Sequence, residues 1–501
     1  MSARKIMIQG TGSHVGKSVV TAALCRYFHQ EGFRVAPFKA QNMSNNSFVT
    51  ADGREMGRAQ AFQAQACGIE PAVEMNPILL KPSSEHGSQV IVLGKPVGVM
   101  TAREYHQYQP AIVGVIHESL EKLSRDHDIV IIEGAGSPAE INLRRYDIVN
   151  MAVAKMASAP VVLVGDINLG GVFAWLVGTL ELLTEEERFL VRALLINKFR
   201  GDISLLKEGI EFLETRTGKK LLGVLPFVTD LAVAEEDCVP ESKWKKRQAH
   251  NPDKLAIEVI LLPHISNSTD FDGLEAEPDV VLHYLGRPPE EGSPLPDLLI
   301  LPGTKSTMAD FEYMRSFGMA EYVFHCHGAR IPILGICGGF QMLGKQLFDP
   351  DAVESSLGET EGLGLLDAIT TFEPRKTTVQ IRGATMDEQE EIHAYEIHMG
   401  QTESKGGCKP LFRILEERGT SVDRFDGAMS PDGLVWGTYL HGIFDSPKFR
   451  RRVLNDLRAR RGWTPLPIQK TILREGTLDC LTDLVRTHID LPMLDQILNG
   501  V

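Results

Sequence analysis

Residues 330–344 read RIPILGICGGFQMLG. The apolar run 331–336 predicts a short buried strand, and Phe340, Met342 and Leu343 begin a helical pattern. Cys337 stands between them, followed by Gly338 and Gly339. Strand, sharp turn and helix in that order predict an α/β layer with a thiol lifted above the strand ends, in a conformation that neighbouring glycines permit. The backbone N–H groups that follow, Gly338 first, can stabilise an anion, and the same setting favours the thiolate. A lone cysteine more often simply packs. Glycine on both sides, in GICGG, argues for a nucleophile.

GICGGFQMLG resembles the nucleophile elbow of class I, triad-type glutamine amidotransferases, which hydrolyse glutamine through a cysteinyl thioester and deliver ammonia to a second site. The resemblance implies an oxyanion hole that includes an upstream glycine loop. Residues 298–307, LLILPGTKST, match it with Gly303, alongside Gly338. It also implies a histidine base near the end of the domain, and residues 439–445, YLHGIFD, supply His441. The family's usual glutamate two residues later is replaced by Ile443, so the group that orients His441 is unassigned. A cysteine–histidine pair without its third member is similar to the cobyrinate-amidating subgroup. His398, in EIHMG, is a second strand-end histidine, read as structural.

Towards the N-terminus, residues 5–9 form an apolar strand that runs into Gly10-Thr11-Gly12-Ser13-His14-Val15-Gly16-Lys17-Ser18 and then a helical pattern. Strand, glycine loop, Gly-Lys-Ser and helix make a P-loop, with Thr11 where the standard spacing has glycine. Its N–H groups, with Gly12 and Gly16 shaping the turn, suit the phosphates of ATP; Lys17 can reach the β- and γ-phosphates, and the Ser18 hydroxyl can ligate Mg²⁺. Glu133 ends the apolar run 129–132, at the strand edge where α/β sheets bind ligands.

GTGSHVGKS is similar to the loop of dethiobiotin synthetase-like P-loop enzymes, which activate carboxylates with ATP. That resemblance implies Lys39 as a phosphate contact, Asp52 and Glu133 beside Ser18 as Mg²⁺ ligands, and Asn197 as the reader of the base. Asp52-Gly53 equally reads as an ordinary turn. The stretch 41–46, QNMSNN, is a surface loop by composition. Together with EMGRAQ (55–60), NPILLKP (76–82), EGAGSPAEINLRRYDIVN (133–150) and VGDINLGG (164–171), it resembles the cobyric acid synthase family, which makes it a polar lip for a substrate rich in carboxylates and amides. Arg144 and Arg145 read as a solvated face.

The expected fold is α/β: two doubly wound, mainly parallel-sheet domains, one P-loop NTPase-like over residues 1–240 and one amidotransferase-like over 254–455, with a helical C-terminal appendage over 456–501. The polar, basic stretch 239–253 marks the boundary. At 501 residues, 43% hydrophobic and 24% charged, the composition is that of a globular protein. A formal charge of −14 argues against nucleic acid or an anionic membrane as partner. Seven scattered cysteines fit a reducing compartment. The N-terminus enters a strand at once and no run approaches a membrane span, so the expected location is cytoplasmic.

The resemblances together imply a glutamine-hydrolysing carbon–nitrogen ligase that uses ATP, Mg²⁺ and glutamine. Its implied substrate is a corrinoid, adenosylcobyrinic acid a,c-diamide, amidated on the b, d, e and g carboxylates during cobalamin biosynthesis. The corrinoid comes from the resemblance alone. Alternatives are a cobyrinic acid a,c-diamide synthase, which shares the chemistry; a MinD/ParA-like ATPase switch, which has no use for Cys337; and an elbow-fold hydrolase, which needs no P-loop.

Overall fold

The computed structural model describes residues 3–84, 87–228, 251–355, 357–468 and 473–500. The expected boundary at 239–253 lies mostly outside them.

Six strands form the N-terminal sheet: β1 (Arg4–Gly10), β2 (Val35–Phe38), β3 (Ile129–Glu133), β4 (Val161–Asp166), β5 (Val191–Phe199) and β6 (Lys220–Pro226). All are parallel, in the order β6-β5-β4-β1-β3-β2. The central strands are continuous Val, Ile and Leu runs because both faces of a parallel sheet are covered. The P-loop follows β1 and leads into α1 (Lys17–Gln30).

The alternation of strands and helices expected throughout this half breaks between residues 41 and 101. Strands Ile78–Ser84, Gly87–Val92 and Lys95–Thr101 form an antiparallel meander beside Gln41–Met43. Leu93 and Gly94, at φ 45° and 73°, make the tight turn between Val92 and Lys95. Both central residues at positive φ match the right-handed twist of a hairpin.

The second sheet contains β7 (Leu255–Ile260), β8 (Val280–Leu285), β9 (Leu298–Leu301), β10 (Ile333–Ile336) and β11 (Val435–Thr438). These are parallel in the order β8-β7-β9-β10-β11, with Ala428–Met429 added antiparallel at the edge. α2 (Gly338–Leu343) leaves β10 through Cys337. A Cβ on Gly339 would lie 2.0 Å from Leu301 O, so glycine is what lets α2 settle onto β9. A separate sheet is built around the long antiparallel pair Ala368–Thr385 and Glu391–Ser404.

The C-terminal segment is not an appendage. Helix Pro447–Arg460 crosses the expected border at 455 and packs on the second half, whereas α3 (Leu473–His488) and α4 (Leu491–Leu498) return to the first. Leu481, Val485, Ile489 and Ile497 share a core with Val20, Leu24 and Phe28 of α1. Asp490 N donates to Leu222 O at 2.8 Å, and a Cβ on Gly223 would lie 2.1 Å from His488 O, so the chain end covers the exposed edge of β6. The amphipathic pattern of these helices needed a partner surface, and α1 provides it. Leu481 is fully buried. Leu481→Ala is therefore expected to destabilise the protein by about 2–5 kcal/mol, read as a lower urea midpoint; a shift below about 0.5 kcal/mol would contradict the packing described. Among the described residues no helix is long and apolar enough to cross a membrane.

Candidate active site

Two groups of side chains lie at the strand ends of the two sheets. In the first half, Gly16 has φ 97° and a Cβ there would lie 2.1 Å from Asn197 Nδ2, so the loop closes tightly over the end of β5. Asn197 Nδ2 donates to Val15 O at 2.9 Å. Lys17 Nζ donates to Gly12 O at 2.9 Å and to Gly136 O at 3.1 Å, which places its ammonium across the loop.

Glu133 gathers the rest. Its Oε1 accepts from Ser18 Oγ at 2.9 Å and Lys39 Nζ at 3.0 Å, and its Oε2 from Gln63 Nε2 at 2.5 Å. Lys39 and Glu133 are both fully buried, and an isolated charge of either kind there would be very costly. Gln63, in EMGRAQAFQ, was not anticipated; it faces Glu133 because the helix Arg58–Ala66 buries that side. Mg²⁺ takes few protein oxygens and completes its shell with phosphate and water. Ser18 Oγ and the Glu133 carboxylate fit that donor set, and Gln9 Oε1 and Gln63 Oε1 are buried nearby without partners among the described residues.

Asp52 does not join them. It is exposed in the turn between Ser47–Val49 and Glu55–Gly57, bonded to Thr50 and Arg54 at 2.5 Å each, and neighbouring Gly53 lies against Arg418. The turn reading of Asp-Gly is the correct one.

A cavity of about 1110 Å³ opens beside Gly136. Its walls include Gln41, Met43, Tyr105, His106, Arg144 and Tyr146, with the His106 and Tyr146 rings stacked at 3.9 Å. Asn150 clamps the adjoining loop, its amide accepting from Ala135 N and donating to Ala135 O at 2.7 Å.

In the second half β11 runs beside β10, so the residues just past each strand meet: Cys337 and His441. Cys337 has φ 51° and ψ −109°, a sparsely populated conformation that costs on the order of 1–3 kcal/mol and is held by the packing of α2. Gly303, past β9, lies against the His441 ring, and Gly338 lies against Thr304 of the same loop. The residues expected at the oxyanion hole, the nucleophile and the base are therefore adjacent. His398 lines the small cavity that holds Cys337, but its Nδ1 is engaged with Gly400 O at 3.0 Å and its ring stacks on Tyr439.

The unassigned orienting group is Asp270. Its Oδ2 lies 2.7 Å from His441 Nδ1, and its Oδ1 accepts from Gly442 N at 2.9 Å. It stands in the single turn Ser268–Phe271, after β7, 171 residues before the histidine. Burial alone would lower the pKa of His441; the Asp270 carboxylate and the Cys337 thiol outweigh it and raise it above the usual histidine range. Asn267 Nδ2 lies 3.3 Å from His441 Nε2, and Asn267 Oδ1 accepts from Ser47 N of the first half at 2.9 Å.

The stretch QNMSNN is thus largely buried rather than solvated, and Asn46 reaches the second half. Asn46 Oδ1 accepts from Ser268 N at 3.0 Å, and Arg58 pairs with Asp445 at 3.3 Å. Glu55 is sandwiched between Lys81 and, from the second half, Lys376. Despite burial, the two ammonium groups hold its carboxyl well below the usual carboxylate range.

Residues 6–240 match the CobQ/CobB/MinD/ParA nucleotide binding domain, and residues 256–449 match the CobB/CobQ-like glutamine amidotransferase domain. The chain is 50% identical to a cobyric acid synthase of Pelotomaculum thermopropionicum, covering 99% of this chain and 97% of that one. It is 48% identical to cobyric acid synthases of Clostridium botulinum, covering 99% of each chain, and of Salmonella agona, covering 98% of each.

Proposed function

The chain belongs to the cobyric acid synthase family, and from that premise we propose that it is a glutamine-hydrolysing ligase of cobalamin biosynthesis that amidates the b, d, e and g carboxylates of adenosylcobyrinic acid a,c-diamide. Residues 1–240 form the synthetase unit, completed by the helices Leu473–His488 and Leu491–Leu498, and residues 254–460 the glutaminase unit. The observation that carries this reading is the pairing of two centres on one chain: Lys17, Lys39, Ser18 and Glu133 at one, Cys337, His441 and Asp270 at the other.

At the glutaminase centre the Cys337 thiol gives its proton to His441 Nε2, and the resulting thiolate attacks the carboxamide carbon of glutamine. Backbone N–H groups at Gly303 and Gly338 hold the oxyanion. His441 returns the proton to the departing nitrogen, ammonia leaves, and water hydrolyses the γ-glutamyl thioester. Asp270 fixes the tautomer by holding Nδ1–H, which leaves Nε2 for this work.

At the synthetase centre a substrate carboxylate attacks the γ-phosphate of ATP, giving an acyl phosphate and ADP; ammonia then displaces phosphate to form the amide. Activation is needed because a carboxylate is inert toward an amine. Lys17 and Lys39 neutralise charge on the phosphates, and Asn197 is the base reader. Ser18 and Glu133 would hold Mg²⁺, which supplies further neutralisation of that charge when bound. The large cavity beside Gly136 suits the corrinoid, since its aromatic and apolar wall can cover a flat macrocycle while Gln41 and Arg144 meet side-chain amides and carboxylates.

The test is mass spectrometry of the corrinoid after incubation with Mg-ATP and glutamine. Four successive losses of about one mass unit each are expected, OH becoming NH₂. Cys337→Ala should abolish them with glutamine and retain them with ammonium. Turnover of cobyrinic acid instead would assign the protein to a,c-diamide synthesis; ATP hydrolysis with no corrinoid change would overturn the ligase reading.

A further inference from the structure

The cavity that holds Cys337 carries more charge than cleavage of a neutral amide requires. Lys305 and Glu354 both line it, together with Lys81 and Lys376. Lys305 follows the Gly303-Thr304 loop directly. Glu354 comes from a loop beyond Asp349, and its Oε2 accepts from Thr307 N at 2.7 Å.

Lys305 and Glu354 are near enough to influence each other's titration, yet among the described residues the Lys305 ammonium has neither an ion-pair nor a hydrogen-bond partner. Burial lowers the lysine and pushes the glutamate up to about 7, against their mutual attraction. Each is a half-buried charge short of a counter-charge, a costly arrangement unless something else completes it. Lys81 and Lys376 share one carboxylate, Glu55, so the lysine side of the cavity keeps a net positive field.

Free glutamine is a zwitterion. Its carboxylate and ammonium sit on one carbon, three bonds from the carbon that Cys337 attacks. Resting on the glutaminase reading above, we infer that Lys305 binds the α-carboxylate of glutamine and Glu354 its α-ammonium. The pair then selects the free amino acid and aims its carboxamide at Cys337 Sγ. An amide lacking either charge leaves one of the two side chains buried and unmatched, which penalises it beyond the lost contact.

The experiment compares ammonia release from glutamine, from glutaramate, which lacks the ammonium, and from 4-aminobutanamide, which lacks the carboxylate. Wild type, Lys305→Met and Glu354→Gln are assayed, with ammonium-supported amidation as the control for an intact synthetase. The amide introduced by Glu354→Gln would keep an acceptor for Thr307 N–H, so that loop retains its anchor. Each variant should lose about 10–100-fold in kcat/KM for glutamine, mostly through KM. Glu354→Gln should leave glutaramate unaffected and Lys305→Met should leave 4-aminobutanamide unaffected, so that each variant stops discriminating against the analogue it no longer reads. A purely structural role predicts equal losses on all three amides and overturns the inference, as does unchanged discrimination. Wild type that releases no ammonia from glutamine overturns the glutaminase reading as well, and is told apart by that result.

Discussion

Asp270→Asn is expected to slow glutamine-dependent amidation by about 10³–10⁴-fold while ammonium-supported amidation stays within about twofold. Asparagine is nearly isosteric, so the bonds to Gly442 N and to the ring keep their places. What changes is the sense of the bond to the ring. An amide NH₂ facing Nδ1 favours the tautomer with its proton on Nε2, where the Cys337 proton has to go. The negative charge that raises the proton affinity of His441 is also lost. Stopped assays with each nitrogen source measure both rates; a loss below about tenfold would mean that the carboxylate only packs against the ring, and that Cys337 and His441 work as a pair.

The second large effect lies at the other centre and has the opposite signature. Glu133→Gln removes the charge that Ser18 and Lys39 share, so amidation should fall about 10³-fold with glutamine and ammonium alike, while hydrolysis of glutamine persists. It also leaves Lys39 buried beside a neutral amide, which costs about 3–5 kcal/mol of stability. Lys17→Met separates the two consequences, because it removes a cation that meets the carbonyls of Gly12 and Gly136 and leaves the buried Lys39–Glu133 pair in place. It should lose amidation with little change in the urea midpoint. If both variants kept near-normal amidation, the phosphates would have to bind elsewhere.

The parts of the site that could be read from the chain are those whose chemistry is local. A P-loop and a nucleophile elbow are each a strand, a turn and a helix within about twenty residues, and glycine at the turn is forced by contacts only a few ångströms away. Asp270 offered no such signal. In STDFDG it looks like any turn carboxylate, and only the isoleucine at 443 hinted that the orienting group had to come from elsewhere. Asp52 shows the converse, a residue in the right sequence position whose hairpin carries it to the surface. QNMSNN misled by composition: amides are as content with buried partners as with water, and Asn46 finds Ser268 across the seam. The helical character of α3 and α4 was visible in their periodicity, but periodicity does not say which surface an apolar stripe will cover.

The return of α3 and α4 to α1 sets a clock on biosynthesis. The N-terminal sheet ends at Pro226, and the helices that finish its core begin roughly 250 residues later. At about 5–20 residues per second on the ribosome, the half-built first core waits on the order of 10–50 s, with the apolar face of α1 and the edge of β6 open. During that interval the second half is made and can fold. The nascent chain thus passes through a stage at which it needs shelter from aggregation, and the helices Leu473–His488 and Leu491–Leu498 are what end it.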